Sequence, residues 1–196
     1  MKNTSGCLKE FLGSAHVFAA ALTNVLETRL LDQLTRKQLS YGQIKVLQLV
    51  ARSETQNVGE IAVFLGVSGA AASKTVDKLV RGGWLRRQEY SSDRRAMEIS
   101  LTRKGQRLLR SYESARLRSM AIICREISNN ELELLARRLN RLSAHIVSQA
   151  VQSDDVCLQC GIHLRERCVL HEEAGHLCSY RRTSRRGVRT QSAADD

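Results

Sequence analysis

The chain has 196 residues, of which 42% are hydrophobic and only 4% aromatic, with no proline and a formal charge of +11. That length holds one domain, or one domain with a small appendage, and its apolar share excludes a chain too polar to bury a core. The composition favours helices over a β-sandwich, and the charge points to a polyanionic partner, either nucleic acid or an anionic membrane surface.

From Leu8 to Leu34, apolar residues recur in steps of three and four (Leu8, Phe11, Leu12, Ala15, Phe18, Leu22, Val25, Leu30). The spacing predicts one long helix whose stripe is more than a small domain covers, so residues 1–40 read as a dimerisation helix. Ser40 precedes a second helical pattern through Tyr41, Ile44, Leu47 and Val50, ending near Ser53. A third runs from Asn57 to Leu65, is broken by Gly66, and gives way at Ser68 to a capped helix ending at Gly82. Two helices joined by a short glycine turn fit a helix-turn-helix. Trp84–Glu89 and Ala96–Leu101 predict a hairpin with a polar turn at 90–95, placed where a wing belongs, so residues 41–102 form a winged helix-turn-helix.

Thr102 then caps a helix carrying Leu108, Leu109, Tyr112, Ala115, Met120, Ile123 and Ile127. Ser128 and Glu131 read as a capping box for a last helix with Leu132, Leu135, Leu139, Leu142 and Ile146 on one seam. Residues 103–152 therefore form a second helical part, its seam suited to packing with another helix. The helical pattern stops after Val151. Residues 153–180 form a cysteine-rich segment without a periodic apolar face, and 181–196 a basic, disordered tail. The expected class is mainly α with a small β-hairpin wing.

The window Lys74–Arg110 holds eleven lysines and arginines against four acids, a local surplus of seven. In the helix after Ser68, Val67, Ala71 or Ala72, Val76, Leu79 and Val80 face inward. Ser68, Gly69, Ala70, Ser73, Lys74 and Lys78 take the other face. Small residues let the helix start approach a major-groove floor, and serine and lysine bond phosphates or base edges. Asp93, Arg94 and Arg95 occupy the hairpin tip. An arginine there suits a narrow, electronegative minor groove, and Asp93 reads as its support through a bidentate pair.

These parts resemble the MarR family of transcriptional regulators over roughly Leu8 to Ala150. The resemblance is carried by Leu65–Ser68, Asp77–Val80, Gly82–Arg87 and above all Ser92-Asp93-Arg94-Arg95-Ala96, Leu101-Thr102 and Gly105. It implies a homodimer intertwined through its first and last helices, with two recognition helices in successive major grooves of a pseudo-palindromic duplex site. It places Ser68, Ala70, Ala71, Ser73, Lys74 and Lys78 at the DNA, with Arg94 and Arg95 at the wing. The run Gly69-Ala70-Ala71-Ala72 is blander than the family's Ser/Thr/Arg-rich helix start, which shifts weight toward shape readout by the wing.

No apolar run approaches the roughly 20 residues that span a bilayer, and no basic-then-apolar leader opens the chain, so the cytoplasm is the expected compartment. In a reducing compartment six cysteines read as metal ligands or redox groups. Cys157, Cys160, Cys168 and Cys178 have the spacing C-x2-C-x7-C-x9-C, one close pair and two single thiols. That arrangement points to a 4Fe-4S iron–sulfur cluster, with zinc as the alternative, since His163, His171 and His176 interleave, and a thiol/disulfide switch as a third. Cys7 and Cys124 lie on helical patterns and read as packing.

The function so expected is a DNA-binding regulator, a repressor, whose operator affinity responds to the cysteine-ligated centre. One alternative keeps the regulator but makes the centre a zinc staple, with a small-molecule effector. Another class is an electron carrier or redox enzyme using the winged helix for protein contacts. The chain holds no phosphate loop, hydrolase triad context or HExxH, so an enzyme is not expected.

Overall fold

The computed structural model describes residues 4–52, 57–89, 97–150, 158–162 and 168–174. The chain opens on a rod of three helical parts: α1 (Thr4–Ala20), a π-helical stretch (Ala21–Glu27) and α2 (Thr28–Thr35). The sequence predicts an uninterrupted α-helix here, and the π stretch is a departure from it. Thr28 Oγ1 donates to the carbonyl of Thr23, five residues back, at 3.0 Å. A wider turn rephases the helix face. Before it, Leu8, Phe11, Leu12 and Phe18 lie exposed; at and after it, Glu27 and Leu31 are buried. The rod ends where Arg36 and Lys37 take left-handed conformations (φ 50° and 62°).

The winged helix-turn-helix follows as predicted: α3 (Tyr41–Arg52), α4 (Val58–Leu65), α5 (Gly69–Arg81), β1 (Leu85–Glu89) and β2 (Met97–Leu101). Asn57 and Glu60 cap α4 reciprocally, each side chain meeting the other's backbone N–H at 3.0 Å. Gly66 ends it at φ 65°, in the left-handed region that a Cβ disfavours. The strands pair antiparallel, Leu85 opposite Leu101 and Arg87 opposite Ile99. Leu31, Ile44, Val46, Leu47, Ile61, Ala72, Val76, Leu79, Leu85, Ile99 and Tyr112 fill one core between these parts. At about 25 cal/mol per Å² of apolar area, that burial holds α5 to the rest of the domain.

Thr102 caps α6 (Arg103–Ile123), its hydroxyl accepting from Gly105 N–H at 3.1 Å and donating to the Gly83 carbonyl at 2.6 Å. The apolar pattern predicts α6 as far as Ile127, but the helix stops at Ile123. The backbone turns at Cys124, whose carbonyl accepts from Ile127 N–H at 3.0 Å. The predicted capping box is present: Glu131 accepts from Ser128 N–H at 3.0 Å and from its hydroxyl at 2.8 Å. Those hydrogen bonds, the hydroxyl's first, hold the Glu131 carboxyl below its ordinary range. It opens α7 (Asn129–Ala150), which leaves Leu135, Leu139 and Ile146 exposed.

The sequence shows no helical pattern after Val151, and the structure adds two short pieces beyond it. A 3-10 turn spans Cys160–Ile162, and α8 spans Val169–Ala174. Pieces of three and six residues are shorter than the two turns over which an apolar period can be recognised. Their buried residues still anchor them: Ile162 in the main core, and Leu170 against Ala144 and Val147 of α7. Among the described residues, no helix is long and apolar enough to cross a membrane.

Candidate nucleic-acid interface

Helix α5 begins with Ser68 in extended conformation, its hydroxyl accepting from Ala71 N–H at 3.3 Å. Ser68 is thus committed to capping, and it lies exposed. Ala72, Val76 and Leu79 are fully buried, which fixes the helix's rotation. Ala72, not Ala71, is the inward alanine, and Val67 is more exposed than an inward residue would be. The opposite side presents Gly69, Ala70, Ala71, Lys74, Lys78 and Arg81 to solvent, with Ser73 half-buried beside them. This is the face the sequence singled out, extended by Arg81. Methyl-sized residues at its first turn and cations in its last two turns make a face that can enter a groove closely while carrying charge to its rim.

The hairpin is tied to this helix. Arg87 of β1 pairs with Asp77 of α5 at 2.8 Å. Behind the wing, Lys104 Nζ lies 4.5 Å from the Trp84 ring centroid and donates to the Gly82 carbonyl at 2.7 Å. Trp84 therefore sets the corner between helix and wing, a role that a lone tryptophan after Gly-Gly does not announce. Asp93, Arg94 and Arg95 lie outside the described residues.

Beside α5 opens a cleft of about 480 Å³, lined by Ser40, Tyr41, Lys45, Lys74, Lys78 and Gln159 among others. Lys45 Nζ stands 5.0 Å from the Tyr41 ring centroid. Lys45 and Gln159 belong to no motif, since their place depends on how α3 and the C-terminal turn pack.

Between the N-terminal rod and the winged domain lies a buried polar node. Arg116 of α6 meets Glu27 at 3.5 Å, both nearly solvent-free. Among the described residues, the buried Tyr112 hydroxyl and Glu27 Oε2 find no hydrogen-bond partner. Burial first, then the hydrogen bond to the Glu27 carboxylate, pushes the Tyr41 phenol well above the ordinary tyrosine range; burial, then the Glu27 charge, does the same to Tyr112.

Of the four sequence-predicted metal ligands, Cys160 and Cys168 are described, both half-buried thiols; Cys157 and Cys178 lie outside the described residues. Cys160 opens the turn packed on α3, while Cys168 touches the α7–α8 cluster. Among the described residues, no three His, Cys, Asp or Glu gather as a metal site. His171 is exposed on α8, and His163 and His176 lie outside the described residues. Cys7 is exposed on α1 rather than packed, and Cys124 is half-buried at the end of α6.

The MarR family model matches residues 39–97, the stretch from just before α3 to the first residue of β2. Among solved structures, the YusO protein from Bacillus subtilis superposes with a TM-score of 0.59 at 19% identity, over 76% of this chain and 99% of that one. A MarR family protein from Bacillus stearothermophilus gives 0.60 at 22%, over 75% and 98%. RV1404 from Mycobacterium tuberculosis gives 0.59 at 22%, over 74% and 95%. These likenesses establish the fold as the winged helix-turn-helix of that family's architecture. About a quarter of this chain lies outside each match.

Proposed function

We propose that the chain is a MarR-type transcriptional regulator that binds duplex DNA as a homodimer, acts as a repressor and catalyses no reaction. The observation that carries this reading is the solvent-facing stripe Ala70, Ala71, Lys74, Lys78 and Arg81 on a capped helix whose other side is locked in the core. Counterion release from phosphates supplies affinity for such a face, and the small residues at its start admit base edges. Ser68, Ser73 and, on the wing, Arg94 and Arg95 supported by Asp93 complete the proposed contact set.

Dimerisation is supported by apolar surface that one chain leaves open. Leu8, Phe11, Leu12 and Phe18 on α1, Ile122 and Ile123 on α6, and Leu135, Leu139 and Ile146 on α7 are all large and exposed. So many large apolar side chains left in water suit a partner surface in a soluble protein. A two-fold dimer presents two α5 helices, which suits a pseudo-palindromic operator.

Cys157, Cys160, Cys168 and Cys178 are proposed as thiolate ligands of a metal centre, a 4Fe-4S cluster in preference to zinc. The support is their spacing, together with the packing of Cys160 by the winged domain and of Cys168 by α7, so that one centre would bear on both parts. Loss or oxidation of the centre would then alter operator binding. With zinc, the centre is a staple and a small molecule serves as effector.

Selection of duplexes from a random library by the full-length protein tests the DNA reading: enrichment of a two-fold symmetric site supports it, and recovery of no sequence above background refutes it. Purification under argon tests the metal. A brown protein with stoichiometric iron and sulfide supports the cluster, a colourless one with zinc supports the staple, and a metal-free protein refutes both.

A further inference from the structure

We infer that the turn Leu158–Ile162 is a strap that locks α3 to α4 and holds the recognition helix in its DNA-binding pose; this rests on the DNA-binding reading. Three observations carry it. Ile162 is only 1% exposed, so the appended segment completes the core of the winged domain instead of lying on it. The Gln48 side chain of α3, itself buried, donates to the Ile162 carbonyl at 3.2 Å. The Gln159 amide bridges two helices: Nε2 donates to the Phe64 carbonyl of α4 at 2.7 Å, and Oε1 accepts from Lys45 Nζ of α3 at 3.1 Å.

Phe64 contributes one of the last-turn carbonyls of α4 that no intrahelical donor reaches. It lies two residues before Gly66, where the chain turns to aim α5. Capping it from outside the domain therefore fixes the turn that orients the recognition helix. Gln159 takes a left-handed backbone (φ 55°) to do so. For a residue with a side chain this conformation is disfavoured, and it persists where surrounding contacts over-determine it.

Gln159 also lines the cleft that Lys74 and Lys78 share, which places the strap beside the proposed phosphate-facing lysines. Seating the strap pre-organises the face, so DNA pays less ordering cost when it binds. By reciprocity, DNA must stabilise the seated strap by the same factor. Cys160 lies within the turn, so any ligand or oxidant taking its thiol acts on this coupling.

Hydrogen exchange and binding of a mixed-sequence duplex, both on the full chain, test the strap. Gln159→Ala keeps Ile162 in place and removes both bridging bonds; Ile162→Asp expels the turn. The strap predicts faster exchange at 63–69 in both variants, with duplex affinity lowered by on the order of tenfold for Ile162→Asp and less for Gln159→Ala. It also predicts that added duplex slows exchange at 158–162 in the wild type. Unchanged exchange at 63–69 in Gln159→Ala overturns the strap, whatever becomes of Ile162→Asp. Faster exchange with unaltered duplex affinity overturns its control of DNA binding. A wild-type chain that binds no duplex refutes the DNA reading instead, and leaves the exchange result to judge the strap.

Discussion

Glu27 and Arg116 stand 3.5 Å apart where water scarcely reaches, so each depends on the other's charge. Glu27→Gln leaves the guanidinium buried and unpaired, which costs about 3–5 kcal/mol; replacing both, Glu27→Leu with Arg116→Met, recovers most of it. Chemical denaturation at fixed protein concentration checks the pair, and equal losses in the single and double variants would contradict it. The neighbouring tyrosines carry a pH consequence. The unfolded chain releases both phenolic protons near pH 10, whereas Tyr41 and Tyr112 in the fold keep theirs beyond that point. The unfolded state then binds fewer protons, so this contribution to stability is present below about pH 10 and is lost as pH rises past it. The double variant Tyr41→Phe, Tyr112→Phe is expected to flatten that decline in melts run across alkaline pH. None of this node was legible in the sequence. Glu27 sits on a pattern that reads as ordinary amphipathic helix, and only the π stretch turns it inward.

At the scale of elements, the sequence is most legible where caps and glycines punctuate it. Asn57, Gly66, Ser68, Thr102 and Ser128 all mark boundaries because each makes a capping bond or turn with residues close to it in sequence. The solvent-facing side of α5 was legible for the same reason: burial of Val76 and Leu79 follows from helical period, which left Ala71 and Ala72 as alternatives and took Val67 as inward where the fold exposes it. What escaped depends on contacts remote in sequence, such as Trp84 under Lys104, Arg87 on Asp77, and the short turn carrying Gln159. Gly105 stood out in the sequence as a motif position, but the contact that requires a glycine there did not. A Cβ there would run into the Trp84 carbonyl and the Leu101 side chain. Gly105→Ala is therefore expected to cost about 1–3 kcal/mol by pushing α6 away from the hairpin corner, read as a lowered denaturant midpoint with unchanged slope. The exposed-side pair Arg87–Asp77 is worth less: Arg87→Ala should cost no more than about 1 kcal/mol, since both partners remain partly solvated.

On the scale of the whole molecule, the proposed function makes the apolar surfaces of α1, the end of α6 and α7 half of a dimer interface, and the basic face of α5 the surface offered to DNA. The first predicts a mass of two chains by light scattering. Leu139→Glu paired with Ile146→Glu is expected to shift the protein toward monomer and to weaken duplex binding with it. The second carries the account's central claim, and its most direct measurement is fluorescence anisotropy of a duplex titrated with the wild type and with Lys74→Gln, Lys78→Gln across a salt series. Each lost phosphate contact lowers the slope of log K against log salt by about one, so the double variant should bind more weakly and with a slope shallower by about two per protomer. A duplex affinity and salt slope identical in the two proteins would contradict the claim.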